Sequence, residues 1–101
     1  MSRQRLEPAI ARELSRLMPR LKDPRIPLIV TVERVSLARD GRHAKVTVST
    51  LDGEDVEAML TALNRAGGYL QHELAESLAL RYTPKLTFEG AAPLPATDEP
   101  L

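Results

Sequence analysis

The chain has 101 residues, is 43% apolar and contains no cysteine. That is enough for one domain with one modest core, and it excludes disulfides, thiolate metal sites and cysteine nucleophiles together. The net charge is zero but the charges are segregated: residues 1–49 hold eleven basic side chains against five acidic, and residues 50–101 hold three against nine.

A small protein polarised in this way can turn a basic face to a polyanion while staying neutral overall. The opening Met1–Pro8 has charge but no apolar run behind it, so no signal peptide is expected. No stretch has the apolar length to span a bilayer. The sequence therefore suggests a soluble, cytoplasmic protein with no membrane partner.

Leu6, Ala9, Ile10, Leu14, Leu17, Met18 and Leu21 trace one helical face, which predicts a helix over about residues 6–18. Pro8 fits such a helix only in its first turn, and Pro19 ends it. Arg12 and Arg16 lie one turn apart on the opposite face, with Arg5 and Arg20 extending the line. Lys22-Asp23-Pro24-Arg25 reads as a turn, because Pro24 keeps Asp23 out of helix. From Leu28 to Leu37 the pattern is that of a strand, but Val30 and Val32 have one parity and Val35 and Leu37 the other. A β-bulge near Glu33–Arg34 would return both pairs to the core. Arg39-Asp40-Gly41-Arg42 carries the Asp-Gly signal of a hairpin, with Arg39, Arg42 and His43 making its tip basic. The returning strand alternates Ala44, Val46 and Val48 inward with Lys45, Thr47 and Ser49 outward.

Asp52 or Gly53 is placed to cap the next helix, where Glu54, Asp55 and Glu57 meet the positive end of its dipole. Val56, Met59, Leu60 and Leu63 share one face of that helix, and Leu70, Leu74 and Leu78 one face of another. Between them stands Arg65-Ala66-Gly67-Gly68-Tyr69. Two glycines cost a helix interior roughly 1 kcal/mol each relative to alanine. They also permit backbone geometry or close approach that a side chain would block. A kink of this kind can present bare amides and a helix N-terminus to an anion. Leu86-Thr87-Phe88 forms a last short strand. Residues 90–101, rich in alanine and proline, read as a disordered tail beyond a folded domain of residues 1–89.

The order helix, strand, strand, helix, kink, helix, strand predicts an α+β domain with a three-stranded sheet and helices on one face. It matches the type II KH fold, which holds single-stranded nucleic acid beside a helix–helix kink. Leu21-Lys22-Asp23-Pro24-Arg25-Ile26, Val30-Thr31-Val32, Ala44-Lys45-Val46, Ala66-Gly67-Gly68-Tyr69-Leu70, Leu80-Arg81 and Pro84-Lys85-Leu86-Thr87-Phe88, in that order, resemble the ribosome-binding factor A family.

The resemblance covers about residues 5–89. It implies a KH-like domain whose Ala66-Gly67-Gly68 kink replaces the usual Gly-x-x-Gly loop. It further implies an assembly factor for the free or immature small (30S) ribosomal subunit and its 16S rRNA, acting in late maturation near the 5′ end and in growth in the cold. Two departures from the family pattern are Gln71, where a basic residue is common, and Glu89-Gly90-Ala91-Ala92 in place of an acidic continuation.

With only Tyr69, Tyr82 and Phe88 aromatic, recognition is expected to rest on phosphates and RNA shape rather than on base stacking. The candidate RNA-binding residues form two surfaces. One is the kink groove of Arg65, Ala66, Gly67, Gly68 and His72 with Lys45 on the adjacent strand. The other is the basic line Arg5, Arg12 and Arg16 with Lys22 and Arg25. Arg42 at the hairpin tip is a further candidate. His43 and His72 lie in different elements and lack a matching Ser or Asp pattern, so neither a catalytic site nor a metal or cofactor site is expected. The chain is expected to act as a monomer. The rival reading is a protein-interaction or homodimerisation module on the same fold.

Overall fold

The computed structural model describes residues 3–51 and 54–91. Helix α1 (Arg3–Leu17) runs into a 3-10 turn (Met18–Arg20) and is followed by β1 (Val30–Leu37) and β2 (His43–Thr50). Helices α2 (Val56–Arg65) and α3 (Gly67–Leu78) then lead to β3 (Lys85–Gly90). This is an α+β, type II KH-like domain: a three-stranded sheet in the order β1-β2-β3 with the helices on one face. The central β2 pairs antiparallel with β1 and parallel with β3.

The apolar stripe of α1 is buried as its spacing predicts, with Ile10, Leu14 and Leu17 fully enclosed. The helix begins earlier than expected, at Arg3, so Pro8 lies in the second turn. There it removes the bond that its amide would make to the Gln4 carbonyl. The register of β1 against β2 shifts between Val32 and Arg34, leaving Glu33 as the extra residue. That bulge turns Val30, Val32, Val35 and Leu37 onto one face and into the core. In the hairpin, Gly41 has φ +74°; its amide donates to the Ala38 carbonyl at 2.8 Å, and the Arg42 amide donates to the Asp40 carboxylate at 2.8 Å. The positive φ is what glycine supplies there.

Helix α2 is capped by Asp55, whose carboxylate accepts the Ala58 amide at 3.0 Å. This corrects the cap expected at Asp52 or Gly53, two residues outside those described; of the tail expected over residues 90–101, residues 92–101 also lie outside the described residues. Strand β3 is longer than expected: it reaches Gly90, and the Ala91 amide still donates to the Val48 carbonyl.

Helix side chains take up backbone groups on both outer edges of the sheet. On β1, Glu7 of α1 accepts the Leu37 amide at 2.7 Å. On β3, Asn64 of α2 donates to the Phe88 carbonyl (3.2 Å) and accepts the Phe88 amide (2.9 Å), and Gln71 of α3 accepts the Leu86 amide at 3.1 Å. Unpaired edge groups invite another strand, and these side chains occupy them.

Helix α3 ends at Ala79, a non-glycine residue in the left-handed region (φ 51°), with the Leu80 amide donating to the Ala75 carbonyl at 3.1 Å. An L-residue loses roughly 1–2 kcal/mol in that conformation, and glycine gives part of the gain back through the entropy of its unfolded chain. Ala79→Gly is expected to stabilise the domain by about 0.5 kcal/mol. Chemical denaturation reads this directly as a higher midpoint at unchanged slope.

Candidate nucleic-acid interface

The kink is a compact hinge between two helices. The Ala66 amide is shared between the Ala62 and Leu63 carbonyls, at 3.0 and 3.1 Å, which closes α2. The Ala66 carbonyl accepts the Leu70 amide at 3.0 Å, which opens α3. The amides of Gly67, Gly68 and Tyr69 are thus those that a helix start leaves without an intrahelical acceptor, at the positive end of its dipole.

Neither glycine has a positive φ, so the backbone freedom that the two glycines permit is not used. A Cβ on Gly67 would meet Gln71 Oε1 at 3.8 Å and the Leu86 carbonyl at 3.9 Å, both ordinary contacts, and one on Gly68 would meet nothing. Gly67 is buried against β3, whereas Gly68 leaves uncovered backbone at an exposed surface.

The basic residues approach this point along α1. Glu13 accepts the Ser77 hydroxyl at 2.8 Å, Arg16 acts electrostatically on Glu73, and Arg65 on Asp23. Rising numbers on one helix meet falling numbers on the other, so α1 and α3 run antiparallel, and the C-terminal end of α1 arrives beside the kink. Arg12, Arg16 and Arg20 are exposed along this path. Arg16 is clamped to Glu13 by a two-point ion pair; that guanidinium, and then the Ser77 hydroxyl, hold the Glu13 carboxyl below its ordinary range.

The turn after α1 closes the path. Asp23 accepts the Arg25 amide (2.9 Å), Nε (3.0 Å) and Nη2 (2.6 Å), and its own carbonyl accepts the Ile26 amide. Lys22, Asp23 and Arg25 line one concavity with Arg65 and Ala66, of about 360 Å³. The two surfaces expected separately therefore meet: Lys22 and Arg25 belong with the kink. The Arg25 side chain, bonded to Asp23, lowers that carboxyl to about 2. A carboxyl depressed in the folded state stabilises it above the unfolded value near 4, and that contribution is lost as pH falls towards 2. A carbon-detected NMR titration is expected to place the Asp23 midpoint near 2, with the Arg25 Nε–H signal shifting in the same window.

Other expected residues stand elsewhere. Lys45 alternates with the buried Ala44 and Val46, so it projects from the face of the sheet opposite the helices, and its grouping with the kink groove is corrected. Arg42 stands at the hairpin tip and Arg5 near the start of α1, both exposed and both outside the concavity beside the kink. His72 lies one turn beyond Gly68 on the exposed side of α3.

Three exposed side chains stand out beyond the expected set. Arg20 stands between Arg16 and Lys22 on the path, although its place on the arginine line was readable. Tyr69 is 45% exposed at the kink and Tyr82 76% exposed, each off the leucine stripes. Gln71, which stands where the family pattern has a basic residue, holds the edge of β3. Among the described residues no cluster of three or more His, Asp or Glu side chains is arranged to hold a metal ion, and no helix is long and apolar enough to cross a membrane.

Residues 2–92 match the family model for ribosome-binding factor A. A ribosome-binding factor A from Heliobacterium modesticaldum is 43% identical over 86 residues, covering 83% of this chain and 70% of that protein. The crystal structure of ribosome-binding factor A from Thermus thermophilus superposes with a TM-score of 0.79 at 33% identity, covering 89% of this chain and 97% of that one. A homology model of the Thermus thermophilus factor, fitted into a cryo-EM map of a complex with 30S, gives 0.72 at 34% identity, over 88% and 94% of the two chains.

Proposed function

This chain belongs to the ribosome-binding factor A family, and from that membership we propose that it binds the free or immature small ribosomal subunit through 16S rRNA. On this reading it is a non-catalytic, cytoplasmic, monomeric assembly factor. It assists late maturation of 16S rRNA, including its 5′ end, and supports growth in the cold. The observation that carries the reading is the convergence of Lys22, Arg25 and Arg65 on the kink, where α3 begins beside the exposed Gly68 and Tyr69. Cations, a helix dipole and uncovered N–H groups favour the same ligand, a phosphate backbone. Arginine suits it further by offering a planar fork to phosphate oxygens.

The test is co-sedimentation of the purified protein with free small subunits, immature small subunits and joined ribosomes at two salt concentrations. Preferential pelleting with free or immature subunits, weakening as salt rises, is expected. Equal or absent binding to all three would sink the reading. One observation favours a second contact of another kind: Leu28 (94% exposed), Ile29 and Leu51 are bare at the base of the β1–β2 hairpin. An apolar contact there, to a protein or a second copy, would persist at high salt where phosphate binding fades.

A further inference from the structure

A second groove opens at the other end of α3 from the kink, about 18 Å along a twelve-residue helix. It has a volume of about 1100 Å³ and runs between Asp40-Gly41-Arg42 of the hairpin and Arg81-Tyr82-Thr83-Pro84 after α3. Leu6, Leu37, Leu78 and Leu80 form its apolar floor. The two walls are fixed to each other, since the Lys85 amide donates to the Arg42 carbonyl at 2.8 Å. Pro84 is fully buried and Ala79 locks the exit from α3, so the loop that carries Tyr82 is anchored at both ends.

We propose that this groove is a second RNA subsite that takes an unstacked nucleotide of a single strand, with its base on Tyr82 and its phosphate between Arg42 and Arg81. The inference rests on the RNA-binding reading given above. Three observations select this occupant. Tyr82 is 76% exposed beside an apolar floor, and an exposed aromatic ring over apolar surface is what a base needs for stacking.

The charge is the second. Residues 50–101 contain three basic side chains in all, Arg65, Arg81 and Lys85. Of these Arg81 lines the groove, opposite Arg42. Third, neither Arg42 nor Arg81 is in an ion pair among the described residues. The groove has one acid, Asp40, whose carboxylate already accepts the Arg42 amide. An apolar peptide would leave both guanidinium groups unanswered, whereas a nucleotide strand answers the guanidinium groups and the ring together.

The chain has no tryptophan and two tyrosines, so in a Tyr69→Phe background the tyrosine emission reports on Tyr82 alone. The full chain is titrated with a single-stranded RNA octamer of mixed sequence and with an abasic octamer of the same backbone. RNA is expected to quench the Tyr82 emission and to bind more tightly than the abasic strand. Tyr82→Ala should weaken RNA binding about 5- to 150-fold, the fold-change that corresponds to loss of one stacked base. Tyr82→Phe should stay within about twofold of Tyr82, because the ring is kept. Arg81→Ala should weaken both strands alike, through the phosphate contact.

Thermal melting confirms that each variant is folded. RNA binding that survives Tyr82→Ala, or equal affinity for the abasic strand, overturns the subsite and leaves the RNA-binding reading standing. Absence of RNA binding by the parent chain overturns the subsite, whereas failure to pellet with small subunits removes the ribosomal reading as a separate result. Self-association that Tyr82→Ala abolishes would assign the groove to a second copy instead.

Discussion

Replacing Lys22 and Arg65 together by glutamate is expected to weaken binding to free small subunits about 25- to 60-fold at 0.1 M salt. The figure follows from counterion release: each phosphate contact contributes a log–log salt slope of about 0.7–0.9, or roughly 5- to 8-fold between 1 M and 0.1 M. Both side chains are exposed and neither is in an ion pair among the described residues, yet they line one concavity with the kink. The salt slope should flatten by about 1.4–1.8 as the two contacts are lost. The melting temperature should fall only slightly: neither substitution breaks an ion pair, and exposed substitutions lie within about 0.5 kcal/mol. The added cost is the like charge that a glutamate at Arg65 brings near Asp23 and to the end of α2.

These positions test the surface more cleanly than Arg12 and Arg16 do. A glutamate at Arg16 would break the clamp on Glu13 and lie near Glu73, which mixes stability with binding. Binding that keeps both its strength and its salt slope in the Lys22→Glu, Arg65→Glu protein would remove the kink concavity from the proposed interface.

Asn64→Ala is expected to destabilise the domain by about 2 kcal/mol, lowering the melting temperature by roughly 10 °C. The Asn64 amide makes two bonds to Phe88, donating to its carbonyl and accepting its N–H. Alanine removes both and leaves the Phe88 N–H and carbonyl on the outer edge of β3 without these partners, above the buried Phe88 side chain. Two hydrogen bonds at about 1 kcal/mol net each give the figure, and the solvent that reaches this partly exposed edge keeps it from rising further. Asn64→Asp separates the two bonds: the carboxylate still accepts the Phe88 N–H but faces the Phe88 carbonyl with a second acceptor. Its stability should therefore fall as well. Aspartate as stable as asparagine would show that the carbonyl bond contributes nothing.

Much of the architecture was legible because it is periodic. The stripe Ile10, Leu14, Leu17 and the phase change between Val32 and Val35 are one-dimensional records of which side faces the core. The bulge at Glu33 follows from the second of them alone. The kink was legible as a junction, but neither freedom that its glycines permit is used: neither has a positive φ and a Cβ on either would meet no close contact.

The candidate residues could be named singly from the sequence, but not grouped. The approach of Lys22 to Arg65 depends on how α1 lies against α3, and no local pattern encodes that. Lys45 is different. Its alternation with Ala44 and Val46 already placed it on the face away from the helices, and that signal was available. Asn64 and Gln71 were out of reach, because an amide side chain on a helix gives no sign of which strand edge it will meet.

The parallel pairing of β2 with β3 bears on the order in which the chain can assemble. The hairpin of β1 and β2 is local, whereas the second neighbour of β2 comes only after α2 and α3 have been made. Pairings that span so much chain form late in folding. Gly67 rests near Leu86, and both amide clamps of the last strand come from the helices that flank the kink. A nascent chain halted before Lys85 would already contain Lys22, Arg25 and Arg65, but it would lack the strand that seats the kink. Possession of the basic residues therefore precedes the seating of the kink beside them.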